Sequence, residues 1–266
     1  MTVDGDVDLP GPTRPSRDQG LDVPADEPQA AVAAQRGWLL VMGGVGCVLF
    51  AILTTAIAAT GGVNPVDTTI SHLAVSVRAP TVTTVAATLT RLGSFPVVVT
   101  ITALAAGLLR TLTHRWNSSA LLVISVALTA GVVYLTKIAV GRARPDVGSL
   151  VGMPSMDSAF PSGHTTDGSV ALVLTAFLVA AALRPPALRR ALHVSGILLA
   201  FVIGLTRVYL GYHWATDVIG GWLLASAVVY AAVYLEVAMR PAELPVAGIE
   251  KRLDPGQIEP RPRAGR

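Results

Sequence analysis

Apolar residues along the middle of the chain fall into six long stretches that contain no Asp, Glu, Lys or Arg. Several of these stretches approach the roughly 20 residues that a helix needs to cross a bilayer. The stretches cover residues 38–59, 92–109, 118–136, 168–183, 191–206 and 218–235. The pattern predicts an all-α fold, a bundle of six transmembrane helices. The fourth and fifth helices are short, so they would be extended by polar flanking residues at the membrane edge.

The two ends of the chain differ in composition from its middle. Residues 1–35 are rich in Asp, Pro and Gly, and residues 240–266 are rich in Pro and Arg, whereas the whole chain is 52% apolar and 14% charged. Neither end has enough apolar residues to bury a core. We therefore expect two disordered cytoplasmic tails on either side of a transmembrane domain at residues 36–239.

The first apolar stretch bears on redox state and processing. It contains the only cysteine, Cys47, so the sequence offers no disulfide within the chain. Residues 56–58 resemble a signal-peptide cleavage site, but the apolar run is longer than a signal core and follows a long acidic tail. We expect this stretch to remain as a membrane span.

Basic residues set the expected orientation, because cytoplasmic loops carry an excess of Lys and Arg. With the N-terminus inside, 14 of the 20 Lys and Arg lie in cytoplasmic segments. We therefore expect a multi-pass protein of the plasma membrane with both termini in the cytoplasm. This topology accounts for the net charge of +3, which does not indicate nucleic-acid binding. The other six basic residues would face outside, against the rule: Arg78, Arg91, Lys137, Arg142, Arg144 and Arg207.

Three of these outward-facing residues follow the third span. Lys137, Arg142 and Arg144 precede Pro145. Because a residue before proline disfavours helical geometry, the helix should end at Arg144, whose guanidinium can then turn back towards the membrane surface. On its own, the segment is better explained by a snorkelling lysine and a basic loop.

A second polar segment opens the fourth span with Pro161, Ser162, Gly163 and His164. Proline and small residues before a helix predict an N-terminus whose free backbone N–H groups bind an anion. Ser162 adds a hydroxyl, Gly163 permits close approach of the backbone, and His164 can supply a proton near neutral pH. A simple turn capped by serine is the alternative.

The third segment joins the fifth and sixth spans and contains Arg207, His213 and Asp217. If the sixth helix begins near His213, Asp217 lies one turn further on the same face. A carboxylate there can fix the imidazole tautomer and stabilise the positive charge that grows when the other ring nitrogen attacks. The alternative is a surface His–Asp pair, which contributes little.

Together, the three segments supply what phosphoryl transfer requires. They place positive charge, an in-line nucleophile and an acid for the leaving oxygen on one side of the membrane. Independent coincidences at three span ends are a poor explanation of this pattern. Arginine also offers paired donors to phosphate oxygens, so Arg-to-Lys substitutions at these positions should not be silent.

The three segments resemble the signature of the type 2 phosphatidic acid phosphatase family. That signature is Lys, six residues, Arg-Pro; then Pro-Ser-Gly-His; then Ser-Arg, five residues, His, three residues, Asp. All spacings match between Lys137 and Asp217, and the departure is Thr206 in place of the usual serine. By resemblance, His164 would protonate the leaving group, and His213, aided by Asp217, would form a phosphohistidine without a metal or other cofactor. The resemblance also implies a set of phosphate-binding residues: Lys137, Arg144, Ser162, Gly163 and Arg207.

The predicted function is therefore that of a membrane phosphatase acting on a lipid phosphate or diphosphate. Undecaprenyl diphosphate, phosphatidic acid, diacylglycerol diphosphate and phosphatidylglycerol phosphate all remain possible substrates, and the oligomeric state is open. One alternative is a phosphotransferase that passes the phosphoryl group to an alcohol. Another is a transporter or channel, which would place its charges within the spans rather than at their outer ends.

Polar residues outside these segments have weaker support. Asp67, His72 and Arg78 in the first outer loop either contact a headgroup or belong to an amphipathic connector lying on the membrane. Three acidic residues near the predicted site are Asp146, Asp157 and Asp167. They lack metal-ligand spacing, and carboxylates close to a phosphate would repel it. We therefore expect no metal site.

Overall fold

The computed structural model describes residues 27–60 and 62–239, which contain eight α-helices and no strand. The helices are α1 (Glu27–Thr60), α2 (Pro65–Ser76), α3 (Pro80–Leu89), α4 (Phe95–Thr113), α5 (Asn117–Val140), α6 (Gly163–Ala181), α7 (Pro186–Tyr209) and α8 (Ala215–Met239). Short 3-10 turns occur at Thr90–Gly93 and Val147–Ser149. The all-α prediction is confirmed.

Six of these helices, α1 and α4 to α8, are long and apolar enough to cross a membrane. This finding confirms the six predicted spans. The two short stretches are extended as expected, because α6 begins at Gly163 and includes polar Asp167, and α7 continues to Tyr209. Large apolar side chains on the outside of the bundle, such as Leu104, Leu128 and Leu135, are exposed. An exposed apolar surface of this extent suits contact with lipid tails.

The first helix begins inside the segment that we predicted to be disordered. It starts at Glu27 rather than near residue 36. Pro28 fits the first turn of a helix, and the alanine-rich residues that follow have the highest helix propensity. The remainder of the first predicted tail, residues 1–26, and the whole of the second, residues 240–266, lie outside the described residues.

Helix α6 lies at the centre of the bundle. It packs against α4, α5, α7 and α8 and is the most buried of the six spans, whereas α1 is the most exposed. Its apolar residues Val170 and Leu174 are fully buried beside Leu109 of α4 and Leu122 of α5. The central position of α6 fixes its N-terminus relative to the ends of α5, α7 and α8.

The short helices α2 and α3 connect α1 to α4 and pack against α7; α2 also contacts α8. Arg78, which follows α2, donates hydrogen bonds of 2.9 and 2.7 Å to the carbonyl oxygen of Tyr209 at the end of α7. Asp67 lies on the connecting helix α2, in line with one of our two expectations, but its side chain is fully buried and cannot contact a headgroup. The reason is an ion pair with Arg142, at 2.6 Å.

Close packing of α7 on α6 depends on Gly196. A Cβ atom at this position would lie 2.8 Å from the Cβ of Ala176 and 3.2 Å from the carbonyl oxygen of Leu172, both in α6. We expect Gly196→Leu to destabilise the folded state by about 1–3 kcal/mol through overpacking. The measurement is the thermal midpoint of the purified protein in detergent.

The matched control is Gly107→Leu in α4, where an added Cβ meets no atom within 4 Å. Leucine also has the better helix propensity, by up to about 1 kcal/mol, so this variant should keep or slightly raise the midpoint. Equal midpoints for the two variants would show that the α6–α7 contact does not need glycine.

Candidate active site

The three segments singled out in the sequence meet at one end of the bundle. The N–H of Ser162, before α6, donates to the carbonyl oxygen of Asp217 in α8 over 3.1 Å. The Arg144 Nη1 atom, after α5, lies 3.2 Å from the His213 Nε2 atom, before α8. The structure therefore brings together segments that are far apart in the sequence.

Two glycines with positive φ shape the chain at this end. Gly141 ends α5 with a φ of +60°, so the helix stops before Arg144, where we expected it to end, and Gly211 follows α7 with a φ of +80°. Glycine adopts this left-handed conformation without the steric cost that other residues meet. The turn at Gly211 directs the chain back so that His213 reaches the site before α8 begins.

Lys137 and Arg144 form the cationic wall on the α5 side. Lys137 lies in the last turn of α5, and its Nζ atom donates to the carbonyl oxygen of Ser158. Arg144 donates from Nη1 to the carbonyl oxygen of Tyr212 over 2.7 Å. Their side chains are 13% and 16% exposed, so both cations are largely withdrawn from water and can act strongly on a bound anion.

Arg207 forms the opposite wall, in the last turn of α7, and is 5% exposed. Its Nη1 atom donates to the Thr90 hydroxyl over 3.0 Å, and its guanidinium lies 4.0 Å from the centre of the Tyr212 ring. Thr206, which departs from the family pattern, donates its hydroxyl to the Ile203 carbonyl oxygen over 2.6 Å. The threonine hydroxyl is thus engaged within its own helix.

The N-terminus of α6 faces the same space. Ser162 is its N-cap and is fully buried, and Gly163 and His164 form the first turn. The Ser162 hydroxyl oxygen accepts a hydrogen bond of 2.9 Å from Thr165, which leaves the serine proton for another acceptor. First-turn N–H groups have no partner inside a helix, so this end suits an anion.

His213 is held between Arg144 and Asp217. Its Nδ1 atom lies 3.3 Å from the Asp217 Oδ2 atom, while Nε2 faces Arg144, and the imidazole is 2% exposed. Burial lowers the pKa of His213 well below its ordinary value, and the nearby cations, Arg144 first, lower it further. A neutral imidazole with its proton on Nδ1 keeps an electron pair on Nε2, which is the form that a nucleophile needs, and in this structure that pair accepts a hydrogen bond from Arg144 Nη1.

Asp157 lies in the loop before α6 and bridges the two cations of the α5 side. Its carboxylate is 2.9 Å from Lys137 Nζ and 2.7 Å from Arg144 Nη2. Burial alone would raise the pKa of Asp157, but hydrogen bonds from Ser155 and Lys137 and the neighbouring positive charges outweigh it and hold the pKa below its ordinary value. A carboxylate that would repel a bound phosphate therefore lies directly beside two cations of the site.

Asp146 and Asp167 form no ion pair with these cations among the described residues. Asp146 accepts a hydrogen bond from the Gly148 N–H within its own loop, at 3.3 Å. Asp167 lies on α6, and its Oδ1 atom has no hydrogen-bond partner among the described residues. Within residues 27–60 and 62–239, no group of three His, Cys, Asp or Glu is placed to hold a metal ion. The polar groups at the site are mainly cations, which suit a bound anion.

Arg142 has a different environment from the one that its sequence position suggested. It is buried and contacts Asp67 and Asp217, whereas the sequence marked it only as an outward-facing basic residue. The sequence did mark Arg142 as unusual, because a basic residue in an outer segment violates the rule that Lys and Arg concentrate in cytoplasmic loops. Its acidic partners could not be found in this way, because Asp67 is 75 residues away in sequence.

Comparison with known proteins relates this chain to a family of phosphatases. The sequence profile of the PAP2 superfamily matches residues 118–240. A lipid A 1-phosphatase from Rhizobium etli is 39% identical over 140 residues, which are 47% of this chain and 55% of that protein. The match thus spans about half the length of that relative. Phosphatidylglycerophosphatase B from Bacillus subtilis is 31% identical over 188 residues, 68% of this chain and 88% of that protein.

A solved structure shares the fold. The crystal structure of a transmembrane PAP2-type phosphatidylglycerolphosphate phosphatase from Bacillus subtilis superposes with a TM-score of 0.68 at 23% identity, over 76% of this chain and 98% of that one. At this identity the likeness shows the fold alone. Because the Bacillus subtilis relative is matched over most of its length at 31% identity, the chain belongs to the PAP2 superfamily, as its three segments predicted.

Proposed function

We propose that this protein is a membrane phosphatase that transfers the phosphoryl group of a lipid phosphate or diphosphate to His213 and then to water. The observation that carries the proposal is the placement of His213. Its Nδ1 atom faces the Asp217 carboxylate and its Nε2 atom faces Arg144, one of several cations that are largely withdrawn from water. This arrangement prepares a nitrogen nucleophile next to a binding site for an anion.

Phosphate binding would use the two cationic walls and the helix end between them. Lys137 and Arg144 on one side and Arg207 on the other would contact the equatorial oxygens, which carry the charge in the transition state. The Ser162 hydroxyl and the first N–H groups of α6, from Gly163 onwards, would complete the set. Arginine and backbone N–H groups donate directional hydrogen bonds, so they also fix the phosphorus in line with Nε2.

The proposed reaction has two chemical steps. The Nε2 electron pair of His213 attacks phosphorus, the bond from phosphorus to the leaving oxygen breaks, and His164 gives that oxygen a proton. Asp217 accepts the Nδ1 hydrogen bond and stabilises the imidazolium that forms. In the second step His164 takes a proton from water, the water oxygen attacks phosphorus, and the nitrogen–phosphorus bond breaks to release inorganic phosphate and free His213.

A lipid substrate is supported by the position of the site and by the relatives. Lys137 and Arg207 lie in the last turns of membrane-crossing helices, where the phosphate of a lipid meets the apolar core of the bilayer. Both named relatives are phosphatases of lipid phosphates by name. The charges lie at the ends of the spans rather than along them, which disfavours the transporter alternative.

The loop charges support a plasma-membrane protein whose site faces outwards. With both termini in the cytoplasm, this end of the bundle lies on the extracytoplasmic side. A lipid phosphate supplied in the outer leaflet of intact cells should then release phosphate into the medium. An inward-facing site would act on it only after the cells are opened.

The proposal is tested with a panel of lipid phosphates and the variant His213→Ala, assayed in detergent with EDTA present. The wild-type protein should release phosphate from at least one member of the panel, because its cationic pocket needs no metal. Loss of the nucleophile should lower kcat by at least about 10³-fold. The panel consists of undecaprenyl diphosphate, phosphatidic acid, diacylglycerol diphosphate and phosphatidylglycerol phosphate.

His72→Ala is the matched control, since His72 is an exposed histidine on the same side of the protein, and it should keep wild-type kcat. Activity that requires added metal, or that survives in His213→Ala, contradicts the mechanism. Phosphate that appears on an added alcohol instead of in solution would identify a phosphotransferase.

Asp157 should compete with the substrate, because its carboxylate bridges Lys137 and Arg144. Partly exposed ion pairs of this kind contribute roughly 0.2–1 kcal/mol each, and Asp157 makes two of them, so Asp157→Asn should lower KM about 2- to 30-fold. The value of kcat should change little, since the carboxylate is already displaced in the complex. The lowered pKa of Asp157 keeps it charged over ordinary assay pH, so the effect should persist from about pH 5 to 8.

Asp146→Asn removes a carboxylate from the same loop without touching the cations, and its KM should equal that of the wild type. An unchanged or higher KM in Asp157→Asn would mean that Asp157 organises the cations rather than competing for them.

A further inference from the structure

Arg142 is a buried cation that the phosphate-binding set does not include. Its side chain has no exposed surface. It donates from Nε to the carbonyl oxygen of Gly62 over 2.5 Å, from Nη2 to Asp67 over 2.6 Å, and from Nη1 to Asp217. A further bond of 2.7 Å joins Nη1 to the Thr216 hydroxyl. These partners are all groups of the protein, so this guanidinium is committed to structure around Asp217 rather than to an incoming anion.

Asp67 completes the link from the other side. Its Oδ1 atom accepts the Thr216 N–H over 2.9 Å, and its Oδ2 atom accepts the Thr216 hydroxyl over 2.7 Å. The amide of Asn64, the N-cap of α2, donates to Oδ2 over 2.8 Å. The start of α2 is thereby bonded to the first turn of α8, immediately before Asp217.

The Asp217 carboxylate is consequently bonded on both oxygens. Arg142 donates to Oδ1, while Oδ2 accepts the Trp214 N–H over 2.9 Å and faces His213 Nδ1 at 3.3 Å. A carboxylate fixed on one oxygen by a guanidinium cannot rotate without breaking that bond. The rotation of Asp217 sets the direction in which the imidazole donates, and this in turn sets the direction of the Nε2 electron pair.

We propose that Arg142 and Asp67 are positioning residues that act on the nucleophile through Asp217. They hold the carboxylate so that His213 keeps its proton on Nδ1 and presents Nε2 to the phosphate. This inference rests on the proposed role of His213 as nucleophile. It assigns to the first outer loop, through Asp67, a part in the reaction that the three sequence segments do not indicate.

The test is a double-mutant cycle with Arg142→Lys and Asp217→Asn, measured as kcat and KM on the lipid phosphate that the wild type hydrolyses best. A lysine cannot reproduce the several directional bonds of the guanidinium. Loss of a group that orients a reacting residue typically costs about 10- to 100-fold, so Arg142→Lys should lower kcat by that factor and change KM less than about 3-fold. In the Asp217→Asn background the same change should cost less than about 3-fold in kcat, because both act through one carboxylate.

A purely structural role would not give this pattern, since its effect would multiply with that of Asp217→Asn. A higher KM at unchanged kcat would instead make Arg142 a phosphate ligand. Either result overturns the inference. Arg91→Lys, which changes an exposed arginine at the same end of the protein, should leave both constants unchanged.

A second variant covers the case in which Arg142→Lys does not fold. Asp67→Asn removes one charge at the far end of the network and leaves the Arg142–Asp217 bond in place, so it should lower kcat by about 3- to 10-fold, again without further loss in Asp217→Asn. If the loss of kcat in Asp67→Asn multiplies with the loss in Asp217→Asn, the result contradicts the inference. If His213→Ala stays active, the proposed function fails; if it is inactive while the cycles are multiplicative, only the positioning role fails.

Discussion

The ion pair between Arg142 and Asp217 joins the loop after α5 to the first turn of α8, and the geometry of the site depends on it. Both side chains are fully buried, and Asp67 holds the guanidinium from the opposite side. Removing one partner of such a pair leaves an uncompensated charge and costs about 3–5 kcal/mol. The pair therefore fixes His213, which lies just before α8, relative to Arg144, which lies on the loop after α5.

The apolar core of the bundle and its charged end have different roles. The apolar residues of α6 and its neighbours determine where the helix ends lie, and none of these core residues belongs to the polar site. The polar groups are collected at one end of the bundle, where the free N–H groups of a helix N-terminus favour an anion. Buried cations without phosphate would repel one another, and Asp157 supplies the compensating charge between Lys137 and Arg144.

The spans and the three segments could be predicted from the sequence because each depends on residues that are close together along the chain. Apolar length predicted α4 to α8, and spacing predicted that His213 and Asp217 share a face. The sequence did not reveal the ion pairs of Asp157 and Asp67, because nothing in a sequence indicates which distant cation a carboxylate will contact. It also placed the start of α1 too late, because the acidic and proline-rich composition before residue 27 concealed the helix-forming alanines after Pro28.

Trapping a phosphoryl group on His213 would show whether this histidine is the nucleophile. His164→Asn should still accept phosphate from p-nitrophenyl phosphate, whose leaving group needs little protonation, but should hydrolyse the intermediate slowly because no base activates water. Rapid quenching should then show a burst of nitrophenol and one acid-labile, base-stable phosphoryl group, which peptide mapping places on His213. Turnover without a burst, or phosphate on a serine or threonine, would contradict the account.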